Sequence, residues 1–356
     1  MSENSKRLAL VLISVAVTVL MVEAAVRIRQ KIRFGTFSPS VLAFRMDPAS
    51  GLRLPVSSGR IHINSLGFRG PELDMPKPAG RVRLAFLGAS TTFCAEVSDN
   101  QHTWPHLVWN TLQRSHPAGS LDYVNGGVPG FTVSSTRLNF DRRVKQTQPD
   151  VIVIYEGIND ISGDTRQLAQ QQGLNIGKLD VATGPARISV AWFLIEKNLD
   201  LFKVKMAAQG RQDRLNFDPR QLSRGFETRL RDLIADAKQA APVVVVATLS
   251  HKFRREQSPQ EQIRASNSAL YYMPYMSMQD LLAVYGEYNR VIRLVASETN
   301  TILVEHEDNI PGDDLHFNDS VHFTDLGARL MAERVTSALE GAVVRNFSLA
   351  KNDDKR

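Results

Sequence analysis

The sequence has a single cysteine, Cys94, among its 356 residues. An internal disulfide is therefore excluded, and cysteine usage does not indicate a redox compartment. Aromatic residues make up only 7% of the chain, whereas apolar residues reach 43% and charged residues 22%. The apolar and charged fractions are close to those of globular proteins, so most of the chain is predicted to fold around a hydrophobic core.

The main part of the chain also lacks net charge. The net charge of the whole sequence is +6, but residues 1–60 contain nine basic and three acidic residues and account for all of it. Residues 61–356 contain 34 residues of each sign. A nucleic-acid-binding module should carry its basic patch on the folded domain. Because the basic excess here flanks a hydrophobic segment, where it would meet lipid headgroups, we expect no nucleic-acid partner.

The hydrophobic segment near the N-terminus consists of 15 uncharged residues, 8–22, and three more apolar residues follow Glu23. A membrane span takes about 20 apolar residues. Residues 8–26 are therefore predicted to contact the membrane as a signal-anchor helix, with a cleaved signal peptide as the alternative. No clean small-x-small cleavage site follows the run, which favours the anchor.

The charges around this segment leave its orientation open. Lys6 and Arg7 precede it, whereas four basic residues follow it within residues 27–33. Read literally, the positive-inside rule places the following domain in the cytoplasm. The rule is statistical, however, and residues 27–33 can lie along the headgroups with Ile28 and Ile32 facing lipid.

From residue 81 onward, short apolar runs alternate with helical patterns. The predicted strands are 83–87, 121–124, 151–155, 242–248 and 301–305. The predicted helices are 102–114, 133–146, 221–240, 279–299 and 325–339. This alternation predicts an α/β fold, a three-layer sandwich in which helices cover both faces of a central parallel sheet.

The same patterns divide the chain into segments. They comprise the anchor and its basic flanks (1–33), a lead-in or linker (34–80), the α/β domain (81–341) with an insertion around 162–220, and a polar tail (342–356). Within the insertion, residues 191–208 are predicted to form an amphipathic helix.

Four polar or glycine-rich clusters follow predicted strands, with a short loop before the last. They are GASTT at 88–92, NGGVPG at 125–130, EGIND at 156–160 and DSVH at 319–322. Ligands of an open parallel sheet bind outside the carboxyl ends of its strands. The clusters supply a hydroxyl, backbone amides, a carboxamide and a carboxylate beside an imidazole, which are the groups that acyl transfer needs.

These clusters resemble the four blocks of the SGNH (GDSL-like) hydrolases over about residues 83–340. The lead-in INSLGFRG at 63–70 is similar to that of a bacterial membrane-associated branch. The resemblance implies the flavodoxin-like SGNH fold, preceded by one transmembrane helix. The family's name motif has aspartate where this chain has Ala89, a position that is neither nucleophile nor base.

The resemblance also implies the roles of the site residues. Ser90 matches the nucleophile, and Asp319 and His322 match the pair that activates it. Ser90, Gly127 and Asn159 match the donors of the oxyanion hole. A serine hydroxyl needs a base to take its proton, and the pKa of histidine suits this work. The three-residue spacing lets the Asp319 carboxylate accept the imidazole Nδ1–H.

A second histidine keeps an alternative open. His316 has Asp313 three residues before it, so the local pattern alone does not exclude it as the base. The spacing of His322 to the final helix, as in the family, favours His322. The polar segment 251–255 is interpreted as a solvated loop, with a site for an anionic substrate as the alternative. The acidic segments 305–308 and 313–314 are interpreted as solvated loops and not as metal ligands, because no ligand spacing is recognisable. The run at 271–276 fits either a substrate cleft or a packed loop.

The predicted function is a serine ester hydrolase acting on carboxylic esters of cell-envelope glycans or lipids, without cofactor or metal. The alternatives are an O-acyltransferase that uses the same triad and a catalytically silent membrane scaffold. Since this substrate class is mostly found outside the cell, we expect the catalytic domain on the outer side of the cytoplasmic membrane.

Overall fold

The computed structural model describes residues 2–38, 42–174, 176, 184–210 and 214–353. Its strands are β1 (Ala43–Met46), β2 (Arg53–Val56), β3 (Val82–Gly88), β4 (Leu121–Asn125), β5 (Val151–Tyr155), β6 (Val243–Ala247) and β7 (Ile302–Val304). The last five form one sheet in the order β4-β3-β5-β6-β7, and all neighbouring strands run parallel. Each predicted strand is confirmed to within two residues at either end.

The central strands are apolar throughout because helices cover both of their faces. Every residue of β5 (VIVIY) and β6 (VVVVA) is buried. A strand buried on both faces has no polar side to alternate with, which explains the unbroken β-branched runs. The predicted three-layer α/β fold is confirmed.

Thirteen α-helices lie in the described part of the chain. They are α1 (Glu3–Phe34), α2 (Ser90–Phe93), α3 (Trp104–Arg114), α4 (Val133–Asn139), α5 (Ile158–Gln171), α6 (Gly184–Ile188), α7 (Val190–Gly210), α8 (Pro219–Leu222), α9 (Arg224–Ala240), α10 (Pro259–Ala265), α11 (Asn267–Tyr272), α12 (Met278–Glu298) and α13 (Asp325–Asp353). Helix α3 packs against α13, whereas α9 packs against α4 and α12.

The chain changes direction across the sheet beside β3. The connection from β3 leads outward to β4, and the chain then returns past β3 to β5. Such a reversal opens a crevice at the carboxyl ends of the strands, where α/β proteins bind their ligands. Ser90 and Asn159 therefore follow the two adjacent strands, β3 and β5, at the edge of this crevice.

Two helices differ from their predicted lengths. The helix predicted at 133–146 ends as α4 at Asn139 and continues as a π-helical turn (Phe140–Val144) and a 3-10 turn (Lys145–Thr147). Helix α13 continues to Asp353, well into the predicted polar tail, because neither proline nor glycine follows Gly341 to end it. The predicted insertion helix is present as α7, while 175, 177–183 and 211–213 lie outside the described residues.

The lead-in at 34–80 contains structure that its composition did not predict. Strands β1 and β2 pair antiparallel, and Leu52 and Leu54 pack against Val128. The buried Arg69 guanidinium donates hydrogen bonds to the backbone oxygens of Phe93 (2.8 Å) and Cys94 (2.5 Å). The lead-in therefore braces the segment that directly follows the predicted nucleophile.

Helix α1 stands largely free of the domain. Its segment Glu3–Ile32 is long and apolar enough to cross a membrane, by length and composition. Its most hydrophobic window has no residue buried against the rest of the chain. The helix ends at Gly35, whose left-handed φ of 72° is readily adopted by glycine.

Candidate active site

The turn after β3 presents Ser90 at the start of a helix. A Cβ atom on Gly88 would lie 2.2 Å from the Thr92 Oγ1 and 2.3 Å from the Tyr155 backbone oxygen, so only glycine fits. Helix α2 begins directly at Ser90 and ends at Cys94, which has a left-handed φ of 58°. Cys94 is buried. This tight strand–helix turn points the serine hydroxyl towards the loop that carries His322.

The three side chains predicted to act together form a continuous hydrogen-bonded chain. His322 Nε2 lies 2.8 Å from Ser90 Oγ, and His322 Nδ1 lies 2.8 Å from Asp319 Oδ2. The other carboxylate oxygen of Asp319 accepts the backbone N–H groups of Val321 and His322, both at 2.9 Å. Both carboxylate oxygens are engaged, so the loop holds the imidazole at a fixed angle to the hydroxyl.

The electrostatics of these hydrogen-bonded side chains favour a charged pair of Asp319 and His322. Burial by itself would raise the pKa of Asp319, but the His322 imidazole and two backbone N–H groups outweigh it and hold that pKa well below its usual range. Burial likewise lowers the pKa of His322, but the carboxylates of Glu96 and Asp319 outweigh it and raise the pKa. The site therefore stabilises an imidazolium, the form that His322 takes when it accepts a proton.

Glu96 was not among the site residues predicted from the sequence. It lies just beyond α2, and its Oε2 atom is buried without a hydrogen-bond partner among the described residues. Together with Asp319 it lines a cavity beside the site. Its position, six residues after the predicted nucleophile, placed it near the site in the sequence. The spacing alone did not show whether its side chain points towards His322.

Asn159, the predicted carboxamide donor, lies beside Ser90 and His322. It lies in the first turn of α5, directly after β5, and lines the same small cavity as Ser90 and His322. Its Nδ2 donates one hydrogen bond to the backbone oxygen of Phe131 at 2.8 Å. This bond fixes the amide orientation and leaves the second N–H of the group for a ligand.

The structure does not support the predicted role of Gly127. Its backbone N–H donates to Asn125 Oδ1 at 3.1 Å, and the Asn125 amide is in turn oriented by the Thr92 carbonyl. A Cβ atom on Gly127 would lie 2.6 Å from the Phe93 backbone nitrogen. Gly127 is therefore glycine because the loop packs closely here, and its amide is already used.

Gly130 has the available amide in this loop. The N–H groups of Gly126, Val128 and Phe131 donate to backbone oxygens, and Pro129 has no N–H. Among the described residues the Gly130 N–H has no hydrogen-bond acceptor, and this residue adopts a left-handed φ of 86°. The family spacing alone could not separate the two glycines, because the difference depends on which amides the fold consumes.

Two buried carboxyl groups hold the turn that carries Asn159 in place. Glu156 accepts a hydrogen bond from Thr136 Oγ1 at 2.7 Å, and its pKa is raised well above the usual range by burial and then by Asp160. Asp160 accepts the backbone N–H of Val133 at 2.9 Å and is paired with Arg229 at 3.0 Å. These contacts tie the turn to the start of α4 and to α9.

Two adjoining cavities lead to Ser90. A small one of about 90 Å³ is lined by Ser90, Asn159 and His322. A larger cleft of about 800 Å³ shares Tyr272 and Asp319 with it and has α7 as one wall. Within the run at 271–276, both tyrosines at its start line the cleft, while its last residues, Tyr275 and Met276, are buried.

The competing histidine has a matching carboxylate but a different position. His316 Nδ1 lies 2.7 Å from Asp313 Oδ1, a pair with the same spacing as the one beside Ser90. The imidazole that bonds to the Ser90 hydroxyl is nevertheless that of His322. The tertiary structure thus distinguishes two histidines that the local pattern left equivalent.

The loops interpreted as solvated are more ordered than expected. His251, Lys252 and Phe253 are buried, so that interpretation of 251–255 is wrong. Carboxylates at 305–308 and 313–314 lie in contact with basic side chains. The pairs are Glu305 and Glu307 with Arg293, Asp308 with Arg254, Asp313 with His316 and Asp314 with Lys252.

Comparisons with known proteins identify the family. The model of the GDSL-like Lipase/Acylhydrolase family matches residues 86–330. Similar solved structures include an acetylxylan esterase from Geobacillus stearothermophilus, with 19% identity over 73% of this chain and 95% of that chain at a TM-score of 0.44. A catalytic mutant of that esterase has 18% identity, coverage of 74% and 95%, and a TM-score of 0.45.

A third similar structure is an α/β hydrolase from the metagenome of Lake Arreo in Spain. It has 16% identity over 73% of this chain and 96% of that chain, with a TM-score of 0.43. A comparison with curated proteins gives no significant match. The family match is the informative result, because it includes all four polar clusters.

Proposed function

The chain belongs to the GDSL-like lipase/acylhydrolase family, and we propose that it hydrolyses carboxylic esters through Ser90, His322 and Asp319. The observation that carries this assignment is the continuous chain of two 2.8 Å contacts from the Ser90 hydroxyl through the imidazole to the carboxylate. In this arrangement a base can take the serine proton while a carboxylate holds its tautomer.

In the proposed reaction, Ser90 Oγ attacks the ester carbonyl carbon while its proton passes to His322 Nε2. The carbonyl oxygen becomes an oxyanion, which accepts hydrogen bonds from the backbone N–H groups of Ser90 and Gly130 and from the Asn159 carboxamide. His322 then gives the proton to the leaving alcohol oxygen, and the C–O bond breaks to leave acyl-Ser90. A water molecule, deprotonated by His322, hydrolyses this intermediate and restores the serine.

The two cavities favour a short acyl group on a polar alcohol. The space beside Ser90 is only about 90 Å³, which fits a small acyl chain. The adjoining cleft is about 800 Å³, and many of its side chains are polar or charged, among them Lys197, Arg264 and Asn267. Such a lining suits hydrogen bonding to a glycan, in keeping with the predicted envelope esters.

We also propose that α1 is a retained membrane anchor with the catalytic domain on the outer side. The Glu23 carboxylate accepts hydrogen bonds from Ser189 Oγ (2.7 Å) and from the backbone N–H groups of Val190 and Ala191 (both 3.0 Å). Cleavage near the small residues Ala24 and Ala25, beyond Glu23, would remove this acceptor from the start of α7. Retention of the helix is therefore favoured over a cleaved signal peptide.

The test uses the full chain purified in detergent. We expect a fluorophosphonate probe to label Ser90 and p-nitrophenyl acetate to be hydrolysed faster than the octanoate. A Ser90→Ala variant should lose both signals. Undiminished labelling of that variant would show that the reactive serine lies elsewhere, and faster hydrolysis of octanoate would contradict the short acyl group.

A further inference from the structure

Helix α7 carries an exposed apolar stripe that the proposed chemistry does not use. The exposed fractions of its large apolar side chains are 46% for Trp192, 50% for Ile195, 52% for Leu199 and 60% for Phe202. Their spacing of three, four and three residues places them on one side of a helix. An exposed apolar surface of this kind marks a site of interaction.

The stripe is not the side by which α7 packs on the domain. Phe193, Glu196, Lys197, Asp200 and Lys203 line the cleft that leads to Asp319. With 3.6 residues per turn, these five side chains and the stripe lie on different sides of the helix. The domain-facing surface of α7 is thus already engaged, and the stripe points outward.

The start of α7 is fixed to the anchor helix. Glu23, which directly follows the apolar run of α1, accepts hydrogen bonds from three groups at residues 189–191. Arg27 is paired with Glu23 at 2.6 Å and also donates to the backbone oxygen of Ile188. The predicted span, residues 8–26, is about long enough for the hydrocarbon layer, and Glu23 lies near its end. Helix α7 therefore begins close to the level where α1 leaves that layer.

We propose that α7 lies on the bilayer surface, with Trp192, Ile195, Leu199 and Phe202 inserted among the lipid headgroups of the leaflet from which α1 emerges. This inference rests on the membrane anchor proposed above. Tryptophan is enriched at membrane interfaces, and interfacial helices combine an apolar side with flanking basic residues, here Lys203 at the edge of the cleft. The neighbouring side of the same helix lines the cleft, so the cleft is held close to the membrane.

Depth-dependent quenching of tryptophan fluorescence tests this placement. The full chain is reconstituted into vesicles of phosphatidylcholine and phosphatidylglycerol with a spin label near the headgroup or near the chain end. We expect the headgroup-proximal label to quench Trp192 most. A Trp192→Phe variant should lose most of the quenchable signal, because Trp104 is buried in the core and Trp109 packs against it.

Equal quenching of the wild type and Trp192→Phe would overturn the proposal. The double variant Ile195→Gln/Leu199→Gln should also lose most of the Trp192 quenching. Leu138→Gln, a change at an exposed leucine of α4, is the matched control and should not. Hydrolysis of soluble p-nitrophenyl acetate should be unchanged in both, because none of these residues lines the site.

Two further outcomes separate this proposal from the one on which it rests. If the chain fails to co-sediment with vesicles, the anchor itself is wrong and the placement of α7 falls with it. If the chain co-sediments but Trp192 is unquenched, and a Leu199→Cys variant cross-links two copies, the stripe contacts a second copy and the bilayer is excluded as its partner.

Discussion

The imidazole Nε2 of His322 lies 2.8 Å from the Ser90 hydroxyl although 232 positions separate the two residues. The backbone of the histidine loop closes on itself through a 2.8 Å hydrogen bond from the Asn318 N–H to the His322 oxygen. The side chain of Ser320 anchors the same loop by accepting the Ala269 N–H at 3.1 Å. The contact between base and nucleophile therefore depends on three separate segments, which are the turn at Ser90, the loop at 318–322 and the helix that contains Ala269.

Replacing either end of this contact should abolish ester hydrolysis without unfolding the chain. We expect Ser90→Ala and His322→Ala each to lose turnover of p-nitrophenyl acetate, and the double variant to be little worse, because residues that act as a unit lose activity non-additively. Steady-state kinetics and circular dichroism check this. His316→Ala is the matched control, and near-normal turnover by His322→Ala would assign the base elsewhere.

Removing the carboxamide donor should slow the chemical step more than it weakens binding. We expect Asn159→Ala to lower kcat by about 10²–10³, because the oxyanion needs this donor mainly in the transition state. Kinetics with saturating ester measure kcat and KM separately. A change confined to KM would instead identify Asn159 as a binding residue.

Neutralising Glu96 should move the acid limb of the pH–rate profile. His322 must be neutral to accept the serine proton, and the Glu96 carboxylate raises its pKa, so activity rises only when the pH passes that higher value. Glu96→Gln removes this charge and lowers the pKa of His322. The acid limb should therefore shift downward by about one pH unit, and activity on that limb should increase.

The pH dependence of kcat/KM measures this shift. Glu333→Gln, a change at an exposed carboxylate of α13, is the control and should leave the profile in place. An unchanged limb in Glu96→Gln would mean that Asp319 alone sets the charge state of the imidazole.

Fusions to the C-terminus should report an exported catalytic domain. We expect alkaline phosphatase to be active and green fluorescent protein to be dark, because the first needs export and the second folds poorly after export through the general secretion route. A fluorescent, phosphatase-negative result would place the domain in the cytoplasm, as the four basic residues that follow the apolar run, at 27–33, suggest.

The sequence alone determined the parallel sheet and the positions of Ser90, Asn159, Asp319 and His322. Buried strands leave unbroken β-branched runs, and the polar clusters follow such strands at the same edge of the sheet. Both signals are local, since each consists of a few consecutive residues. The family match over 86–330 confirms the resemblance drawn from those clusters.

Only the tertiary structure distinguished Gly130 from Gly127, brought Glu96 to the histidine, and joined α7 to α1. Whether a backbone N–H is available to a ligand depends on the acceptors around it. The Gly127 N–H already donates a hydrogen bond to the Asn125 side chain. The charge felt by an imidazole is likewise a sum over groups from distant segments. Local sequence patterns therefore show which strands and polar clusters a chain contains. Hydrogen-bond partners and the electrostatic field at a side chain are set only when distant segments pack together.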